Sequence, residues 1–70
     1  MSQYKYSLHD NEFIVEYLFT IEETLDMFKF LKHQENSFYE AGLIYNHEIE
    51  LDEENEWILR FFISQKDGEA

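Results

Sequence analysis

The sequence predicts an α+β fold of order ββαββ, with one helix packed on a four-stranded, mostly antiparallel sheet. Two strand-period runs precede a single helix-period stretch, and two more follow it. A capping-box pattern opens the stretch between them, and no proline interrupts any element. The chain of 70 residues is read as one domain, 1–70, because it is too short for two cores.

Tyr4, Tyr6 and Leu8 alternate with Lys5 and Ser7, which is the period of a strand. Phe13, Val15, Tyr17 and Phe19 alternate in the same way, and the polar residues His9 to Glu12 connect the two runs as a hairpin. Thr20 and Glu23 form the capping box of a helix from about 21 to 34. Glu22, Glu23 and Asp26 fall early and Lys29, Lys32 and His33 late, an order that complements the helix dipole. Ile21, Leu25, Phe28 and Lys32 lie on one stripe with Leu31 beside it, and Met27 and Phe30 widen the apolar face. From Gln34 to Gly42 two readings stand. Ser37 and Glu40 can cap a helical turn ending at Gly42, or Phe38 and Tyr39 can open a strand. Leu43 to Leu51 alternates again, Asp52 to Glu56 turns the chain, and Trp57 to Ser64 is the last strand. Lys66 to Ala70 reads as a frayed polar tail.

Two sheet orders fit this plan. In a β-grasp-like order the first and last strands are central and parallel. In the other, all pairs are antiparallel and the two most apolar strands, the second and fourth, are central. Burial of central strands favours the latter.

Five basic residues stand against 16 acidic ones, a formal net charge of −11. Nucleic-acid affinity comes mainly from Lys and Arg on phosphates, so direct binding to DNA or RNA is not expected. Anionic membrane surfaces are disfavoured for the same reason, and no apolar run is long enough to span a bilayer. The first residues lack the pattern of a signal peptide, so a cytoplasmic location is expected. Aromatic residues make up 19% of the chain, enough for a folded core despite the charge. With no Cys, neither disulfides nor a thiolate zinc site can staple the fold, which leaves oligomerisation or a partner as the source of further burial.

The acids concentrate at His47 to Glu56, which carries six carboxylates, Glu48, Glu50, Asp52, Glu53, Glu54 and Glu56, and no Lys or Arg. Such a run either selects a basic partner or only maintains solubility. If odd-numbered residues face the helix, the other sheet face carries Ile14, Glu16, Leu18, Ile44, Asn46, Glu48, Glu50, Ile58, Arg60 and Phe62. Arg60 can then be neutralised by Glu16, Glu48 or Glu50 on neighbouring strands. Apolar residues set among acids on an open sheet make a candidate interaction surface, with the acidic run, Ile44, Ile58 and Phe62 as its contacts.

Catalytic chemistry finds little support. His9-Asp10-x-Glu12 and His47-Glu48 fall at opposite ends of the sheet, and His47 takes a core-facing register. Asp52, Glu54 and Glu56 are spaced like early ligands of a calcium loop, but Trp57 stands where that loop needs Gly and the twelfth-position Glu is missing. Only loose cation binding fits there. There is no glycine-rich phosphate loop, cofactor motif or activated nucleophile.

The stretch from Tyr45 to Gly68, YNHEIELDEENEWILRFFISQKDG, resembles the C-terminal part of immunity proteins of ribonuclease-type colicins and cloacin. Those end in an acidic strand, an acidic turn, an aromatic return strand and an Asp-Gly tail. The resemblance covers about a third of the chain and implies an acidic sheet that masks a basic nuclease, with Glu48, Glu50, Asp52, Glu54 and Glu56 as contacts. Small acidic phage inhibitors, including anti-CRISPR proteins and DNA mimics, share this physical logic. The expected function is therefore a non-enzymatic inhibitor of a basic nucleic-acid-processing protein. The alternative is a structural or regulatory module that forms a homodimer through its open sheet face.

Overall fold

A computed structural model describes residues 3–64, the side chains of residues 3–5 and 9 excepted. The polar tail expected at Lys66 to Ala70 lies outside the described residues. The strands are β1 (Gln3–His9), β2 (Glu12–Thr20), β3 (Ile44–Leu51) and β4 (Glu56–Ser64), and the helix α1 (Thr24–Ala41) follows a 3-10 turn at Ile21–Glu23. The sheet order is β1-β2-β4-β3 with every pair antiparallel. The β-grasp-like order is not adopted. Strands β2 and β4 supply Val15, Phe19, Leu59 and Phe61, all buried, and burial of both places them at the centre. Helix α1 carries the chain over β4, so that β3 runs parallel to β2 with β4 between them.

The first connection is tighter than the sequence suggested. Strand pairing reaches His9 and Glu12, and Asp10 and Asn11 alone turn the chain with φ of 49° and 67°. Two successive left-handed residues match the twist of the flanking strands, and Asp and Asn tolerate that region best after Gly.

The expected cap opens the 3-10 turn that leads into the helix. The Thr20 N–H donates to Glu23 Oε1 at 2.9 Å, and this bond holds the Glu23 carboxyl below its ordinary value. The helix then continues past residue 34 to Ala41, so neither the early end nor a strand at Phe38 is correct. Gly42 stops it at φ 74°, with its N–H donating to Tyr39 O and the Leu43 N–H to Phe38 O, the two bonds of a Schellman motif.

Odd-numbered residues of β2, β3 and β4 face the helix. Phe19, Met27, Leu31, Leu59 and Phe61 form the buried cluster, with Tyr17, Phe30, Phe38, Ile49, Trp57 and Ile63 packed around it. The rings meet edge-on, Tyr17 with Phe30 at 4.7 Å and Phe38 with Phe61 at 5.2 Å between centroids. Trp57 Nε1 donates to Thr24 Oγ1 at 2.8 Å and ties the start of β4 to the start of the helix.

The stripe expected to face the core does not. Ile21, Leu25 and Phe28 are exposed, Leu25 by 67%, while Met27 and Leu31 are buried. The stripe of Met27, Leu31 and Phe38, with Phe30 beside it and half-buried Gln34 within it, packs against the core. The 21–25–28 stripe runs into exposed Lys32 and Asn36 and meets no later apolar residue that packs on the core, whereas the other stripe reaches Phe38.

Candidate partner-binding surface

The face without a helix is organised in rows across β2, β4 and β3. Ile14, Phe62 and Asn46 form one row, Glu16, Arg60 and Glu48 the next, and Leu18, Ile58 and Glu50 the third. Directly opposed residues share a face, so on β2 and β4 the charged row lies between two apolar pairs, Ile14 with Phe62 and Leu18 with Ile58. Ile14, Leu18, Ile58 and Phe62 are half-buried, because neighbouring strands screen them even with no layer above. Of the five apolar residues assigned to this face, Ile44 alone is exposed, by 57%.

Arg60 binds all three candidate carboxylates. Its Nε donates to Glu16 Oε2 at 2.7 Å, and its Nη1 donates to Glu48 Oε1 at 2.6 Å and, more weakly, to Glu50 Oε1 at 3.4 Å. These bonds, the one to Glu16 foremost, raise the guanidinium pKa further, so Arg60 stays charged at any working pH. Glu16 is the more enclosed partner, whereas Glu48 and Glu50 are more than half exposed. Arg60 is thus shared among three carboxylates, of which Glu48 and Glu50 face solvent.

The acidic turn has its own order. The Asp52 N–H donates to Glu56 O at 2.9 Å, the Asn55 N–H donates to Asp52 O at 3.1 Å, and Asn55 takes φ 60°. This is a type I turn closed by a left-handed residue, the usual three-residue hairpin loop. Asp52 Oδ1 accepts from the N–H groups of Glu54 and Glu56, each at 2.9 Å. Asp52 is therefore a turn organiser as well as a charge. Carboxylate oxygens of Asp52, Glu54 and Glu56 lie within 4.8 Å of one another. Three donors, one already holding two N–H groups, fall short of the six to eight oxygens calcium takes.

The candidate contacts thus divide in space. Glu48, Glu50, Ile58 and Phe62 surround Arg60, and Asp52, Glu53, Glu54 and Glu56 gather at the adjoining end of the sheet, where Leu51 pairs with Trp57. Ile44 pairs with Ser64 at the opposite end of β3 and does not join the acids. Sequence reasoning placed Glu16, Leu18 and Ile14 on this face without counting them as contacts. The β2–β4 register makes them part of the same surface.

His47 lies on the helix side of β3. Its Nδ1 is 3.5 Å from Glu35 Oε2, and its ring is 6.4 Å from that of Phe61. Partial burial, with the Glu35 carboxylate nearby, raises the pKa of Tyr45 on the same side. The first turn and the acidic turn fall at opposite ends of the sheet, since Glu12 pairs with Ser64 and Thr20 with Glu56. No helix among the described residues is long and apolar enough to cross a membrane. Set against protein-family models, curated proteins and solved structures, the chain matches none.

Proposed function

We propose that this protein is a small, acidic, non-enzymatic inhibitor that binds and masks a basic nucleic-acid-processing protein, such as a nuclease, a toxin or a CRISPR effector. The observation that carries this reading is the surplus of carboxylates on the β3 side of the open face. Glu48 and Glu50 share one Arg60, and the turn acids beside them have no cation of their own in the 47–56 run. Concentrating like charge in this way costs the fold stability through self-repulsion, so a use outside the fold is the economical explanation. The half-buried Ile58 and Leu18 adjoin these acids and would supply the apolar anchor that charge alone lacks. The resemblance of the stretch from Tyr45 to Gly68 to nuclease immunity proteins points to the same class of partner.

The test is affinity capture of the tagged protein from nuclease-treated lysate, followed by a salt series and variants. The expected result is one basic protein, released by moderate salt because added ions slow the steered encounter. Glu48→Lys with Glu50→Lys should abolish capture. Phe62→Glu should weaken it while the melting transition stays cooperative. A complex indifferent to salt and to all three substitutions would remove the reading.

A further inference from the structure

We propose that β1 is the contact strand of a homodimer, in which two copies pair their β1 strands antiparallel about a twofold axis at Tyr6. The two edges of the sheet differ in charge. Strand β3 carries Glu48 and Glu50, the kind of charge that blunts an edge against pairing. Strand β1, QYKYSLH, is the one element among those described that contains neither Asp nor Glu. A chain of net charge −11 can approach a copy of itself most easily where it carries no acid. The open face is a poor alternative, because two copies would bring together Glu48, Glu50 and their counterparts.

The backbone of β1 is set up for this pairing. A two-residue loop closes on a hydrogen-bonded pair, here His9 with Glu12, and bonded pairs then alternate along an antiparallel ladder. His9, Ser7, Lys5 and Gln3 therefore direct their N–H and C=O groups to β2. Leu8, Tyr6 and Tyr4 direct theirs away from the sheet. With the axis at Tyr6, these outward residues meet one another, Tyr6 with Tyr6 of the copy and Leu8 with Tyr4. An axis at Lys5 would set two like charges against each other at its centre.

The side chains agree. Tyr6 is 62% and Leu8 69% exposed on the helix side, beyond the reach of α1, and the Tyr6 ring lies 5.3 Å from that of Phe13. Pairing about Tyr6 joins this aromatic ledge to its copy and extends one sheet through both chains. Both helices then lie on one side and both open faces on the other, with each acidic β3 at an outer end. The dimer leaves the proposed partner surface free and presents it twice.

Sedimentation equilibrium across the micromolar-to-millimolar range should give a concentration-dependent mass rising to that of a dimer. Tyr6→Lys, which opposes like charges at the axis, should restore the monomer without changing the melting profile. The chain has no Cys, so crosslinking gives a second readout. Residues of a bonded antiparallel pair have Cα atoms about 5.5 Å apart, within disulfide reach. Tyr6→Cys should therefore oxidise to a covalent dimer. Ser7→Cys should not, since two copies of that position lie about 8 Å apart, given a rise of about 3.4 Å per residue and strands about 4.8 Å apart. A monomer throughout the range would overturn the proposal. So would equal crosslinking of both variants, or a dimer broken by Phe62→Glu and untouched by Tyr6→Lys.

Discussion

The two faces of this sheet use the same strands for different ends. On the helix side Leu59 and Phe61 of β4 are fully buried against an aromatic layer. On the other side their neighbours Ile58, Arg60 and Phe62 are half-buried, and Arg60 bonds to Glu16 and Glu48. Strand geometry separates the two sets at every residue, because successive side chains point to opposite faces. Stability can therefore reside on one face while charge and partial exposure accumulate on the other. A single β4 register serves both.

The largest test of that division is Phe61→Ala. It removes a ring with no solvent exposure that meets Tyr17 and Phe38, and should cost about 3–5 kcal/mol in a denaturant titration. That is comparable with the whole stability of a small domain. If Phe61→Ala cost no more than Phe62→Ala, the assignment of stability to the helix side would fail.

Next comes Arg60→Ala, which leaves Glu16, Glu48 and Glu50 without their shared cation. Loss of charge-assisted bonds to the more enclosed Glu16 should lower stability by about 2 kcal/mol. Arg60→Lys should recover only part of it, because an ammonium cannot present the planar fork. Full recovery by Lys would reduce the cluster to simple charge balance.

A smaller effect separates the two roles of Asp52. Asp52→Ala frees the N–H groups of Glu54 and Glu56 and should cost about 1 kcal/mol. Asp52→Asn keeps an acceptor at the same place and should be close to neutral in thermal melting. It should still weaken capture of a basic partner if the carboxylate charge is part of the contact.

The smallest effect is a pH dependence. The Thr20 N–H holds the Glu23 carboxyl below its ordinary 4.5, so this bond stabilises the fold above that value. Its contribution is lost as pH falls through the lower value of the folded state. Mild acid also relieves repulsion among the other carboxylates, which acts in the opposite direction. The difference in melting temperature between wild type and Glu23→Gln reports what the charge of the Glu23 carboxylate contributes. That difference should shrink as the solution is taken below pH 4.5 and vanish once both side chains are neutral.

Much of the architecture was legible in the residues. Alternation located all four strands, and Thr20 with Glu23 located the 3-10 turn that leads into the helix. The helix end was missed because Gln34, Glu35, Asn36 and Ser37 look like a break, although nothing there prevents a helix and Gly42 is the first residue able to stop one. The inward stripe was misjudged because two overlapping stripes were both apolar over the first turns. Choosing between them needed the distant Phe38. The open face was assigned correctly by parity, but the depth of Ile58 and Phe62 was not, since lateral screening depends on which strands lie beside β4.

Local periodicity, capping chemistry and charge are properties of neighbouring residues, and the sequence by itself determined them: the ββαββ order, the acidic run and its lack of compensating cations. Strand order, the pairing of Glu16, Arg60 and Glu48 in one row, and the contrast between an acidic β3 edge and an acid-free β1 edge depend on residues far apart in the chain. Only tertiary structure decided those, because β2 and β4 became neighbours through the burial of both against one helix, a choice that no local window of the chain contains.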